Sequence, residues 1–76
     1  MDTRHVEEFL VFAAELNYST AAKRLFITRP TLSEHIRELE DELGCELVGK
    51  QQGKAMPTHA GKRFVQTGTH LIESVQ

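Results

Sequence analysis

Seventy-six residues, 39% apolar and 26% charged, describe one small globular domain near the size at which a single core still holds without metal or disulfide. The lone Cys45 excludes an internal disulfide and fits a reducing cytosol, no apolar run nears the roughly 20 residues of a membrane span, and no basic-then-apolar leader opens the chain. The net charge of −2 argues at first against a nucleic-acid partner, but the charge is segregated. Residues 20 to 37 carry Lys23, Arg24, Arg29 and Arg37 against Glu34, a balance of +3; residues 47 to 64 carry Lys50, Lys54, Lys62 and Arg63 with no acid. Between them "ELEDELGCE" is acidic throughout. A phosphate senses charge within about 8 Å at physiological salt, so these basic stretches matter more than the sum. Charges scattered by chance over solvated faces are the bland alternative.

The first predicted helix starts at Thr3 as N-cap. Val6, Phe9, Leu10, Ala13 and Leu16 or Asn17 follow the spacing of one buried stripe, Glu7, Glu8 and Glu15 face outward, and Asn17 stops the run. Ser19 is the expected cap of a short second helix, "TAAKRLF", whose alanines permit close helix packing while Lys23 and Arg24 stay outside. After the tight link "FIT", Thr28 caps a third helix from Arg29 to about Leu43. Pro30 suits its first turn, where the missing N–H has no helical partner, and Gly44 ends it. Leu32, Ile36, Leu39 and Leu43 form its apolar stripe. Arg29, Ser33 and Arg37 share the opposite face, with Thr31, Glu34 and His35 beside its N-terminal half. Two helices joined by so short a turn, the second opening on arginine, threonine and serine, make the pattern in which a helix N-terminus with its free N–H groups meets a polyanion in the major groove.

"LVGKQQGKAMPT" then alternates loosely around two glycines and is predicted to be a two-stranded hairpin with a basic tip, a wing, although a plain surface hairpin would carry the same residues. Thr58 caps a last helix, with Ala60, Phe64, Gly68, Leu71, Ile72 and Val75 on one side. That stripe runs to the last residue without a stop signal, and Phe64, Gly68, Leu71, Ile72 and Val75 are the expected contacts with a second copy. Residues 1–57 are assigned to the winged unit and 58–76 to the start of a linker helix.

The run "FAAELNYSTAAKRLFITRPTLSEHIRELEDELG" and the downstream "PTHAG" resemble the N-terminal DNA-binding domain of LysR-type bacterial transcriptional regulators. The likeness covers essentially the whole chain through many spaced positions. It implies a mainly α, winged helix-turn-helix fold, with a three-helix core, a short β wing and a C-terminal dimerisation helix. In that family a large effector-binding domain follows, and the small-molecule effector would bind there, beyond these 76 residues, as in a fragment of a longer chain. Carried over residue by residue, the resemblance assigns base reading to Arg29, Pro30, Thr31, Ser33 and Glu34. Phosphate and wing contacts fall to Thr20, Lys23, His35, Arg37, Lys50 and Lys54, with Lys50 or Lys54 reaching toward the minor groove. Three positions depart from the family. Arg29 stands where glutamine is frequent, which points to guanine in place of adenine. Glu34 replaces a basic or amide residue and either accepts from cytosine N4 or pairs with Arg37. Lys50 replaces an arginine and lacks its planar fork.

Competing chemistry is thin. His5, His35, His59, His70 and Cys45 show no metal-ligand spacing, "GKQQG" is no phosphate loop, and no nucleophile, base and acid set has a catalytic context. Neither a metal, a cofactor nor an enzyme activity is expected, and Cys45 is expected to fill a small apolar gap. The reading is a cytoplasmic DNA-binding homodimer on a roughly palindromic operator. The alternative from another class is a helical protein-interaction module that does not bind DNA.

Overall fold

The computed structural model describes residues 1–75, with side chains through His70. Helix α1 (Thr3–Glu15) is capped by Asp2, one residue before the expected Thr3. The Asp2 carboxylate accepts the Arg4 backbone N–H at 2.8 Å, and that bond holds its carboxyl below the usual range. Leu16 ends the helix in the left-handed region at φ 56°, its N–H donating to the Phe12 carbonyl at 2.7 Å. Asn17, expected to stop α1, instead starts α2 (Tyr18–Leu25): its side chain accepts the Thr20 N–H at 2.9 Å and takes the capping role assigned to Ser19. An amide that ends one helix in sequence can thus begin the next, because the cap needs only a short side-chain oxygen three residues ahead of a free N–H.

Phe26 closes α2 in the left-handed region with its ring 95% exposed, so the second helix ends one residue before the predicted run does. Helix α3 (Arg29–Leu43) has the expected ends. Thr28 Oγ1 accepts the Thr31 N–H at 3.3 Å, Pro30 lies in the first turn, and Gly44 sits at φ 72°. Strands β1 (Val48–Gln51) and β2 (Lys54–Pro57) pair antiparallel with Lys50 opposite Ala55 and Gln51 opposite Lys54. The two-residue turn Gln52-Gly53 has positive φ at both positions, the mirror-image turn whose twist suits a hairpin. Helix α4 (His59–Val75) follows, its Thr58 hydroxyl accepting the Gly61 N–H at 2.9 Å.

Val6, Phe9 and Phe12 of α1, Ala21 and Ala22 of α2, Leu32, Ile36 and Leu39 of α3, and Leu47 form one buried cluster. Each large member contributes about 1.5–3 kcal/mol through burial. The two alanines let α2 lie close against this cluster, and Leu43, the last residue of the predicted α3 stripe, is 36% exposed. Two expectations about burial, one on α1 and one on the loop after α3, need correction. Glu8, assigned to the solvent face, is 3% exposed, because its side chain is packed against α3, where the carboxylate lies 2.7 Å from His35 Nδ1. Cys45, assigned to an apolar gap, is exposed, and the residue that this loop sends into the core is Leu47.

The first half of α4 closes the core. A Cβ on Gly61 would strike the Leu47 carbonyl, and one on Gly68 would lie 3.1 Å from Val6. Phe64 meets the Phe9 ring at 6.0 Å between centroids. Gly68 and Phe64, expected to face a second copy, are therefore packed on their own chain: α4 runs antiparallel to α1 and needs a small residue where its backbone approaches the Val6 and Leu10 side chains. The side chains of Leu71, Ile72 and Val75 lie outside the described residues.

Candidate nucleic-acid interface

Arg29, Ser33 and Arg37 are spaced four residues apart on α3 and form one row along the helix. Arg29 and Arg37 are exposed and Ser33 is half-buried. Ser33 and Arg37 line a cleft of about 230 Å³ whose far wall is Val48, Gly49 and Lys50 of the wing. Arg29 lines a second cleft, of about 300 Å³, together with Lys54, Gly53 and Asn17. Tyr18 is a wall of both. Two basic stretches some twenty residues apart in sequence thus meet on one concave surface. Pro30 and Glu34 border the outer side of the same row with Glu38 and Asp41.

What holds the wing against α3 is a carboxylate that the sequence reading passed over. Glu40 Oε2 accepts the backbone N–H of Leu47 at 2.7 Å and of Val48 at 3.1 Å. Thr58 fixes the other strand, its N–H donating to the Leu47 carbonyl at 2.9 Å. Nothing in the run "ELEDELG" distinguishes Glu40 from its acidic neighbours except its place one residue after Leu39 of the buried stripe.

Other assigned residues are placed as follows. Thr20, Lys23, Lys50 and Lys54 are exposed, and Arg24 pairs with Glu15 at 2.7 Å. The Thr31 hydroxyl accepts from Thr28 Oγ1 at 2.9 Å, which ties it to the helix cap. Glu34 makes no ion pair with Arg37 among the described residues, and both side chains are exposed. His35 departs from its assignment to phosphate. Its Nδ1 lies 2.7 Å from the Glu8 carboxylate and its ring stacks on His5 at 4.3 Å, so the imidazole faces α1. One hundred degrees per residue carries position 35 away from the row of positions 29, 33 and 37. No cluster of three or more His, Cys, Asp or Glu side chains fit to hold a metal occurs among the described residues. No described helix is long and apolar enough to cross a membrane.

The family model described as "Bacterial regulatory helix-turn-helix protein, lysR family" matches residues 3–62. The chain belongs to the LysR family. Among its LysR-family relatives, the Hca operon transcriptional activator HcaR of Escherichia coli (strain K12) is 34% identical over 76 residues, covering 100% of this chain and 26% of that protein. The regulator AlsR of Bacillus subtilis (strain 168) is 38% identical over 65 residues, covering 86% of this chain and 22% of AlsR. The chain spans about a quarter of the length of these curated relatives. Several of the solved structures it resembles were determined with DNA. The BenM_DBD complex with catB site 1 DNA superposes with a TM-score of 0.90 at 33% identity, covering 99% of this chain and 81% of that one. DarR of Vibrio fischeri in complex with DNA gives 0.92 at 36% identity, over 99% of this chain and 26% of DarR. This chain is accordingly a LysR-type helix-turn-helix DNA-binding domain with the winged fold expected of it, which decides against the interaction module that binds no DNA. In LysR-family terms α2 and α3 are the helix-turn-helix pair and β1 and β2 the wing.

Proposed function

We propose that this LysR-type domain reads double-stranded DNA with the N-terminal half of α3 in the major groove and the wing on the adjoining backbone. The carrying observation is the row Arg29, Ser33 and Arg37 set against the wing, with Ser33 and Arg37 sharing one cleft with Lys50 and Arg29 a second with Lys54. Arg29 donates its planar pair of N–H groups to guanine O6 and N7, Pro30 and Thr31 offer apolar contact to a thymine methyl, and Ser33 bonds a base edge. Exposed and unpaired with Arg37, Glu34 is positioned to accept from a cytosine N4 amine. Thr20, Lys23, Arg37, Lys50 and Lys54 meet phosphates, and Lys50 reaches toward the minor groove. His35 is left out of this set because Glu8 holds it.

The chain works as a cytoplasmic transcription regulator without catalysis, one subunit per half-site of a roughly palindromic operator. Residues 1–57 form the winged unit, and the helix from residue 58 closes its core before serving as linker. Gly68 of α4 lies level with Val6, one turn from the start of α1. The residues from 69 to 75 extend the helix about 10 Å further at 1.5 Å each, which supports a homodimer through this end. A small-molecule effector belongs to the family's further domain.

Selection of bound sites from a randomised duplex library tests the reading. Arg29→Ala is expected to lose about 1–3 kcal/mol at one guanine position, while Lys50→Ala weakens all sequences alike. Equal, sequence-independent losses in both variants would overturn the placement of α3.

A further inference from the structure

Arg29 is a long side chain at a helix mouth, and its usefulness as a base reader depends on how far its guanidinium is held before DNA arrives. Its Cζ lies 5.8 Å from the centroid of the Tyr18 ring, within the range in which an aromatic face attracts a guanidinium. That ring is itself fixed. It packs on the buried Phe12 at 4.5 Å between centroids, and Tyr18 is the first residue of α2, directly after the Asn17 cap. Tyr18 also walls both clefts between α3 and the wing, so the face it presents to Arg29 opens onto the concave surface. Burial, with a smaller contribution from Glu40, holds its phenol above the usual tyrosine range against the pull of Arg29 and Arg37.

We propose that Tyr18 is a positioning residue for Arg29: its ring, anchored on Phe12, holds the guanidinium over the cleft from which it addresses a guanine edge. This rests on the DNA-reading role of α3 proposed above. A flexible arginine loses side-chain freedom on meeting a base; one already held over the ring loses less, and the difference is felt only at the base it reads. The second helix thereby sets specificity through the third without touching a base.

Three variants and one measurement without DNA test this. In selections from a randomised duplex library, Tyr18→Leu keeps the apolar packing on Phe12 but removes the aromatic face. It is expected to cut the guanine preference at the position read by Arg29 by about two- to fivefold, with other positions unchanged. Tyr18→Phe keeps the face and retains the preference. In an Arg29→Ala background, Tyr18→Leu has no further effect on selection. An equal loss in Tyr18→Phe and Tyr18→Leu, or an additive loss in the double variant, overturns the proposal. In the free wild-type chain, the Arg29 side-chain protons are expected to carry an upfield ring-current shift in NMR spectra, and its absence overturns the proposal even if Tyr18→Leu fails to fold. A wild-type chain that shows the shift yet enriches no duplex would refute the DNA-reading role while leaving the Tyr18 platform standing.

Discussion

A carboxylate with 3% of its surface exposed requires a partner, and Glu8 has one in His35 at 2.7 Å. His5 stacks behind that imidazole, and its own Nδ1 stands 3.7 Å from Glu38. The group fastens α1 to the face of α3 away from the cleft and so fixes the roll of the helix that presents Arg29. Glu8→Ala leaves the His35 nitrogen unpaired in a half-buried position and is expected to cost about 1–3 kcal/mol of stability in urea unfolding, with Glu8→Gln losing less. An unchanged midpoint for Glu8→Ala would contradict this account. The same scale explains why Arg24, exposed and basic, stays outside the proposed contacts: Glu15 holds it at 2.7 Å.

Among the elements, the wing has the weakest support of its own. Two four-residue strands joined by Gln52-Gly53 form a hairpin that is marginal alone in water. Glu40 supplies what the strands lack, since its carboxylate takes two backbone N–H groups at the root of β1. Charge-assisted bonds of this kind are about twice as strong as neutral ones. Glu40→Ala should therefore speed amide exchange at Leu47 and Val48. In its presence the effect of Lys50→Ala on DNA affinity should shrink, because a loosened wing no longer holds Lys50 against the cleft. Undiminished protection at both amides would show that strand pairing alone carries the wing. The register adds a distinction between the two wing lysines. Lys50 shares a face with Ala55, and Lys54 lies on the opposite pleat opposite Gln51, so only Lys50 faces Ser33 and Arg37.

For the molecule as a whole, the net charge of −2 and the proposed affinity for a polyanion are reconciled by where the charges lie. The exposed acids Glu38, Asp41 and Glu42 occupy the C-terminal half of α3, whereas Arg29 opens its N-terminal half. A duplex is attracted by one end of the helix and repelled by the other, which orients the approach as well as strengthening it. If Lys23, Arg37, Lys50 and Lys54 each neutralise a phosphate, affinity for a non-selected duplex should fall roughly a hundredfold between 50 and 200 mM salt. Fluorescence anisotropy across that range measures the slope. A nearly flat dependence would mean that the basic row does not meet the backbone.

Local signals determined much of this in advance. Helix ends that depend on one residue and its near neighbours, such as Thr28 with Pro30, Gly44 and Thr58, are legible because capping is a contact across three positions in sequence. Apolar spacing located the core face of α3 and Val6 and Phe9 of α1, but it passed over the buried Phe12 and placed Leu16 inside, where it is 45% exposed; turn chemistry located the wing. The caps at Asp2 and Asn17 were missed by one or two residues because several short polar side chains compete for the same free N–H groups. What lay beyond sequence were contacts between residues far apart: Glu8 with His35, Glu40 with the wing root, Gly68 under Val6, and Arg29 over Tyr18. Periodicity gives the direction a side chain leaves its own helix but not what a neighbouring element brings to meet it. Only the packing of α1, α3, α4 and the wing decided which charged groups are fastened inside and which stay free to face DNA.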